Sequence, residues 1–317
     1  MREIRKINPN AKLVQTEDLS KTHSTDLLSY QATFENERRW LTYDLLCGKV
    51  KPGHFFWDYF ISSGIPEKDL VFLVENTCAP DIMGFNYYVT SERFLDDNLH
   101  RYPAATHGGN GRHVYADIAA VRSGHMQGIA TLLAEAWERY KTPVAVTECH
   151  LCCTREEQIR WLNETWNACT GLKKNGIDVR AVTAWGLLGA YDWNSLLAQE
   201  NFFYEPGVFH MEDNLPRATL LAKMIASLSA RGSFEHPLLA QGGWWTGKNA
   251  QPLPADSARE RPLLIVGKNN LLTAPLAEIC SKRSIVSHTM PDLPESEITI
   301  YNASAIIDTS CFDDIEF

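Results

Sequence analysis

The chain has 317 residues, 44% hydrophobic and 22% charged, with 19 Gly and 15 Pro; this excludes fibrous and disordered classes and suits one barrel-sized domain or two ordinary ones. Its 30 Lys and Arg against 39 Asp and Glu give a net charge of −9, which repels phosphate-rich partners, so no nucleic acid is expected. No apolar run reaches the ~20 residues that span a bilayer, and the opening Met1-Arg2-Glu3-Ile4-Arg5 has no apolar secretion core, so the expectation is a cytoplasmic protein without membrane contact. Its 8 cysteines are accordingly read as reduced thiols. Only Cys149, Cys152 and Cys153 cluster, around His150; without a second ligand pair at zinc-finger spacing they read as structural thiols, and no metal is expected.

In chain order, Arg2 to Asn8 reads as the last turns of a helix, stopped by Asn8-Pro9-Asn10. Lys12 to Glu17 is a short apolar run ending in polar residues, as a buried parallel strand does at its functional end. Helical sequence follows from about Leu27 to Leu46. Asp81 to Tyr88 is a second strand, followed by a long polar loop that contains His107-Gly108-Gly109-Asn110-Gly111. Ile129 to Tyr140 is an amphipathic helix, and Val144 to Glu148 a third strand. Thr154 and Glu157 form a capping box for a helix that runs to Lys174 before Asn175-Gly176. Val179 to Trp185 is a fourth strand, and Arg217 to Leu228 a last helix of this part. The alternation of strand and helix predicts a parallel α/β sheet, doubly wound or closed into a barrel. Residues 231–261 change to Gly, Pro, Trp and polar residues, the texture of a linker or covering arm. Pro262 to Gly267 and Ala274 to Lys282 then read as a new strand and helix, with too few residues after them for a whole nucleotide-binding domain.

Three of the strands end in side chains suited to one cleft: Asn86 and Tyr88, Glu148, and Trp185 with Asp192 and Trp193 just beyond. Parallel α/β folds build their sites at those ends. A strand-end carboxylate held by a Tyr hydroxyl, with indole faces for a pyranose, suits a glycosidase nucleophile. The 9 Trp, 11 Tyr and 13 Phe of the chain supply such faces freely, although packing is the ordinary use of any one ring.

These residues also carry a resemblance. Val144-Ala145-Val146-Thr147-Glu148 resembles the Thr-Glu-Asn-Gly nucleophile strand of family 1 glycoside hydrolases, with Cys149-His150 in place of Asn-Gly. Gly84-Phe85-Asn86-Tyr87-Tyr88 is similar to that family's preceding strand. Ala184-Trp185-Gly186-Leu187-Leu188-Gly189-Ala190-Tyr191-Asp192-Trp193 resembles its last strand and loop without gaps. Val14 to Leu19, Thr90 to Asp96 and Thr154 to Gln158 resemble a bacterial subgroup in which such a barrel precedes a domain similar to dTDP-4-dehydrorhamnose reductase.

The resemblance implies a fold, a site and an activity. The fold would be α/β: strands 5 to 8, the C-terminal half of a (β/α)8 barrel, over residues 1–230, a linker over 231–261 and a partial Rossmann-like βα segment over 262–317. Glu148 would be the nucleophile and Tyr88 would orient it. Asn86, Trp185, Asp192 and Trp193 would bind the sugar of a glycoside ligand. Glu17, at the end of the first strand present, is a further candidate for the cleft. The family's acid/base Asn-Glu-Pro motif does not occur in the sequence, so the chain alone is expected to lack ordinary turnover and to need a second copy, or a separate N-terminal half-barrel, as partner. In the last segment Asn270 and Thr273 replace the second and third glycines of the reductase pattern, and no Tyr has a Lys four residues later, so no nicotinamide cofactor is expected. The rival readings are a carbohydrate-binding or interaction module without turnover and a nucleotide-sugar reductase relative.

Overall fold

The strands that the sequence suggests pair side by side in a four-stranded sheet. In the computed structural model, which describes residues 1–212, 215–246, 262–268, 270–282, 285–292 and 305–309, the chain divides into two units. The first comprises Met1–Asp97 and Gly108–Pro252, the second Asn98–His107 and Leu253–Phe317.

The first unit opens with α1 (Arg2–Ile7), β1 (Val14–Asp18) and β2 (Lys21–Ser24), followed by α2 (Ser29–Arg38), α3 (Leu41–Leu46), α4 (Trp57–Ser62) and α5 (Glu67–Glu75). It continues through β3 (Ile82–Tyr87), β4 (Glu92–Asp96), the short β5 (His107–Gly109, of which Gly108 and Gly109 belong to this unit), β6 (Val114–Ala119), α6 (Ile129–Tyr140), β7 (Val144–Cys149), α7 (Arg155–Lys174) and β8 (Val179–Ala184). Strands β1, β3, β7 and β8 run parallel in that order. Their register sets Asp18 beside Asn86 and Asn86 beside Glu148, so three polar residues form one row across the C-terminal end of the sheet. A register shift between Phe85 and Asn86 advances Glu148 into that row.

Packing explains why the sheet holds. Met83, Phe85, Val144 and Val146 are buried, and α6 and α7 cover them with Leu132, Leu133, Ile159 and Trp161. The Tyr87 ring stacks on Trp161 at 5.6 Å, and Trp245 meets Trp161 edge-on at 5.0 Å, so part of the expected covering arm closes the core. Residues 247–261, the rest of that arm, lie outside the described residues.

The expected helix from Leu27 to Leu46 is broken. A 3-10 turn (Asp26–Leu28) leads into α2, and the chain kinks at Arg39 and Trp40 before α3. Arg39 there reaches the Ser20 carbonyl and Glu135 while Trp40 enters the core, two tertiary demands that a straight helix cannot meet. The capping box fails too. Thr154 stands at the N-cap of α7 without a side-chain capping bond, and Glu157 turns instead to Arg160 and the Trp244 N–H. The long polar loop is also largely structured, because β4 pairs with β2 and β6 in a second sheet.

Two antiparallel pairs follow β8: β9 (Ala190–Tyr191) with β10 (Tyr204–Glu205), and β11 (Phe209–Glu212) with β12 (Leu215–Ala218). The helix expected from Arg217 begins later, as α8 (Leu220–Arg231), where the Thr219 hydroxyl accepts from the Ala222 N–H.

The second unit contains β13 (Leu263–Val266), α9 (Asn270–Lys282), β14 (Ser287–Met290) and β15 (Ala305–Asp308), with β13 central and parallel to both neighbours. Its helix starts at Asn270, earlier than the expected Ala274. Thr273 is buried, whereas Asn269 and the side chain of Asn270 lie outside the described residues.

One glycine sets the sheet interior. A Cβ on Gly84 would meet Thr147 Cγ2 and Thr16 Oγ1 at 2.7 Å and the Gln15 carbonyl oxygen at 2.9 Å. The Gln15 contact is backbone and cannot swing away, so Gly84→Ala is expected to destabilise the protein by roughly 1–3 kcal/mol, as overpacking does. Urea unfolding of the two proteins checks this, and an unchanged midpoint would remove the close-approach argument.

Candidate active site

Chemistry begins at the row on the sheet's C-terminal end. Glu148, half-buried at the end of β7, accepts a hydrogen bond on Oε2 from the Tyr88 hydroxyl. Burial, and then that bond to a carboxylate, hold the Tyr88 phenol well above its ordinary pKa, so it remains a proton donor to Glu148. The Tyr88 backbone is fixed in turn, since its N–H donates to Ser91 Oγ at 3.0 Å and the Ser91 hydroxyl donates to Asp18 at 3.0 Å.

Asn86 is oriented by a chain of hydroxyls. Thr16 donates to Thr147 Oγ1 at 3.1 Å, and Thr147 donates to Asn86 Oδ1 at 2.8 Å. This fixes the Asn86 amide through its oxygen and turns its N–H donors toward a ligand hydroxyl.

Beside the row lies a cavity of about 310 Å³, lined among others by Tyr88, His150, Trp185, Trp193, Glu205 and Trp244. That volume is at the small end of the ~300–1,000 Å³ usual for ligand pockets and fits one sugar ring better than a long chain. Trp185 is half-buried and meets Trp193 at 5.6 Å and His150 edge-on at 5.2 Å. Tyr88 joins the two parts of the site: its hydroxyl holds Glu148 and its side chain forms part of the cavity wall.

Two expected residues stand apart from this arrangement. Glu17 alternates to the other face of β1 from Thr16, accepts from Gln15 Nε2 at 2.9 Å, and lines with Asp18, Arg38 and Arg39 a hollow that Asn86, Tyr88 and Glu148 do not line. Its neighbour Asp18 occupies the row instead. Although Asp18 keeps an open surface, partial burial pushes its carboxyl above the ordinary value, the Ser91 bond pulls it back, and the Glu148 charge raises it further. Asp192 has a positive φ of 57° and accepts the Phe203 N–H on Oδ1 at 2.8 Å, so its carboxylate staples the loop between β9 and β10.

Sequence reasoning missed a buried histidine–carboxylate hydrogen bond. His150 Nε2 and Glu205 Oε1 lie 2.6 Å apart, with both side chains less than 10% exposed. Burial pulls the His150 imidazole below the ordinary histidine value, against the charge and hydrogen bond of Glu205 and the backbone hydrogen bond to Trp185. The Cys-His-x-Cys-Cys cluster is also resolved by direction. The buried Cys149 thiol points to Thr165 and is pushed up to about 12 by burial, His150 turns to Glu205, and Cys152 is exposed.

Comparison with known proteins agrees with the architecture. No protein-family model matches the chain. Beta-glucosidase 47 of Arabidopsis thaliana is 25% identical over 196 residues, which cover 58% of this chain and 35% of that protein. Two solved structures of the beta-glucosidase from Thermotoga maritima, one described as family 1 and one in complex with methyl acetic acid-substituted glucoimidazole, superpose with TM-scores of 0.55. They are 13% and 12% identical, and each covers 74% of this chain. The chain spans about half the length of these solved enzymes, 53% and 54%, and about a third of the curated relative. The chain therefore has a beta-glucosidase-like α/β fold.

Proposed function

We propose that the first unit carries the nucleophile side of a retaining β-glycosidase-like site. The observation that carries this reading is the Tyr88–Glu148 hydrogen bond at the end of parallel strands, beside a cavity walled by Trp185 and Trp193. A Glu148 oxygen attacks the anomeric carbon, the bond to the leaving oxygen breaks, and a glycosyl ester forms. Tyr88 orients the attacking carboxylate, and the Asn86 amide donates to a ring hydroxyl. Trp185 and Trp193 offer faces to the pyranose.

A retaining cycle also needs a second carboxyl about 5–5.5 Å away to protonate the leaving group and then activate water. The sequence has no Asn-Glu-Pro motif, and Asp18, the other carboxyl of the row, is held by Ser91. The chain by itself is accordingly proposed to form the ester and stall. In the four-stranded sheet β1 and β8 are the edges, with Val14 and several β8 side chains exposed. Further strands against those edges, such as a second copy or a separate half-barrel would bring, are what this reading calls for.

The test uses a 2,4-dinitrophenyl β-glycoside, whose leaving group departs without a general acid. Incubation with the purified chain should release one equivalent of dinitrophenolate and add one glycosyl mass to a peptide containing Glu148. An adduct on another residue, or none, would refute the assignment. Reversible sugar binding without any adduct would favour the carbohydrate-binding module, the rival that the aromatic cavity supports.

A further inference from the structure

Arg122 ends the 3-10 turn Ala120–Arg122 after β6, and it lines the same cavity as Tyr88 and Trp185. Its guanidinium lies 4.4 Å from the ring centroid of Trp244, which holds the planar fork against the cavity wall. No hydrogen bond or ion pair engages Arg122 among the described residues. Other half-buried arginines of this unit are committed: Arg39 to Glu135, Arg139 to Asp44, Arg160 to Glu157. Glu205, the carboxylate on the same cavity wall, is hydrogen-bonded to His150 and does not engage Arg122.

A guanidinium offers five N–H donors and no acceptor, and a ligand that displaces water from the cavity leaves them unpaired unless it brings acceptors of its own. The fork geometry matches the two oxygens of a carboxylate. A doubly charged phosphate would call for more positive charge than this cavity presents, because Arg122 is the one arginine or lysine among its described lining residues and burial favours the neutral form of His150.

We propose that this cavity binds a glycosyl unit bearing a carboxylate, a uronic acid, with Arg122 as the residue that recognises the acid. The proposal rests on the glycosyl site at Glu148 described above and specifies its substrate class. Titration calorimetry of the purified chain with methyl β-glucuronide, methyl β-glucoside and glucose 6-phosphate tests it. The glucuronide is expected to bind roughly 10- to 100-fold tighter than the glucoside, the span of a charge-assisted pair, and the ratio is expected to shrink with added salt. Arg122→Gln should bring the ratio close to one, and Arg122→Lys should restore part of it. Should either variant fail to fold, the wild-type ratio and its salt dependence still decide.

Equal binding of glucuronide and glucoside by the wild type would overturn the proposal, as would an unchanged ratio in a folded Arg122→Gln protein. Preference for glucose 6-phosphate would replace the carboxylate by a phosphate. Adduct formation at Glu148 with a neutral glycoside reports on the underlying site separately, so a glycosyl site without acid preference is distinguishable from no glycosyl site.

Discussion

Glu148→Gln is expected to abolish the burst of dinitrophenolate from a 2,4-dinitrophenyl β-glycoside. The amide keeps the shape of the carboxylate but loses the charge that attacks the anomeric carbon, and nucleophile and proton transfer are separate contributions. General acid–base assistance is worth ~10²–10⁴ in rate, so its absence slows turnover of the ester without preventing its formation from an activated glycoside. Loss of the nucleophile removes the ester itself. Glu148→Ala opens room beside Tyr88, and added azide should then enter from the Glu148 side and give a glycosyl azide of inverted configuration, which product analysis by nuclear magnetic resonance reads directly. A burst that survives in Glu148→Gln would mean that another carboxylate attacks, and Asp18, in the same row, would be the first to examine.

Much of this site is legible in the sequence because the strands bearing it are short buried runs with polar ends. Val144-Ala145-Val146 followed by Thr147-Glu148 declares both the strand and the end where chemistry belongs. Asn86 and Tyr88 follow from the same logic. What remained hidden depends on partners distant in sequence. Glu205 meets His150 across 55 positions, in a two-residue strand that has no periodicity to betray it. Arg122 and Trp244 join across an even longer separation, and neither stands in a motif. Glu17 misled because strand polarity identifies the functional end but not the face; only pairing with β3 shows that Thr16 and Asp18 face the row while Glu17 turns away. The second sheet was missed since β2 (Lys21-Thr22-His23-Ser24) is polar throughout, and its pairing with β4 rather than its composition makes it a strand.

The largest stability effect is expected at Glu92, a buried acid that never contacts the cavity. It is 1% exposed, yet it accepts four hydrogen bonds: from the Tyr87 hydroxyl at 2.9 Å, from the backbone N–H groups of Gln127 at 2.9 Å and Gly128 at 2.8 Å, and from His23 Nε2 at 2.9 Å. One carboxylate thereby ties β2, the end of β3 and the entrance of α6. Glu92→Leu would strand all of these donors, and breaking such a buried network typically costs roughly 3–5 kcal/mol. Its pH dependence follows from the same contacts. Burial pushes the Glu92 carboxyl up, the hydrogen bonds outweigh burial, and the net value lies below that of an ordinary glutamate. A group depressed in the folded state stabilises fully above its unfolded pKa, about 4.3 for glutamate, and loses that contribution as the pH falls through the folded value. The gap between wild type and Glu92→Leu in urea unfolding should thus be wide at neutral pH and narrow below pH ~4. A gap under about 1 kcal/mol at neutral pH would be no more than one ordinary hydrogen bond is worth, and would show that water replaces the carboxylate. Tyr87 directly precedes the residue that orients Glu148, so a folded Glu92→Gln protein should also label more slowly at Glu148, which couples this buried acid to the site through a single peptide bond.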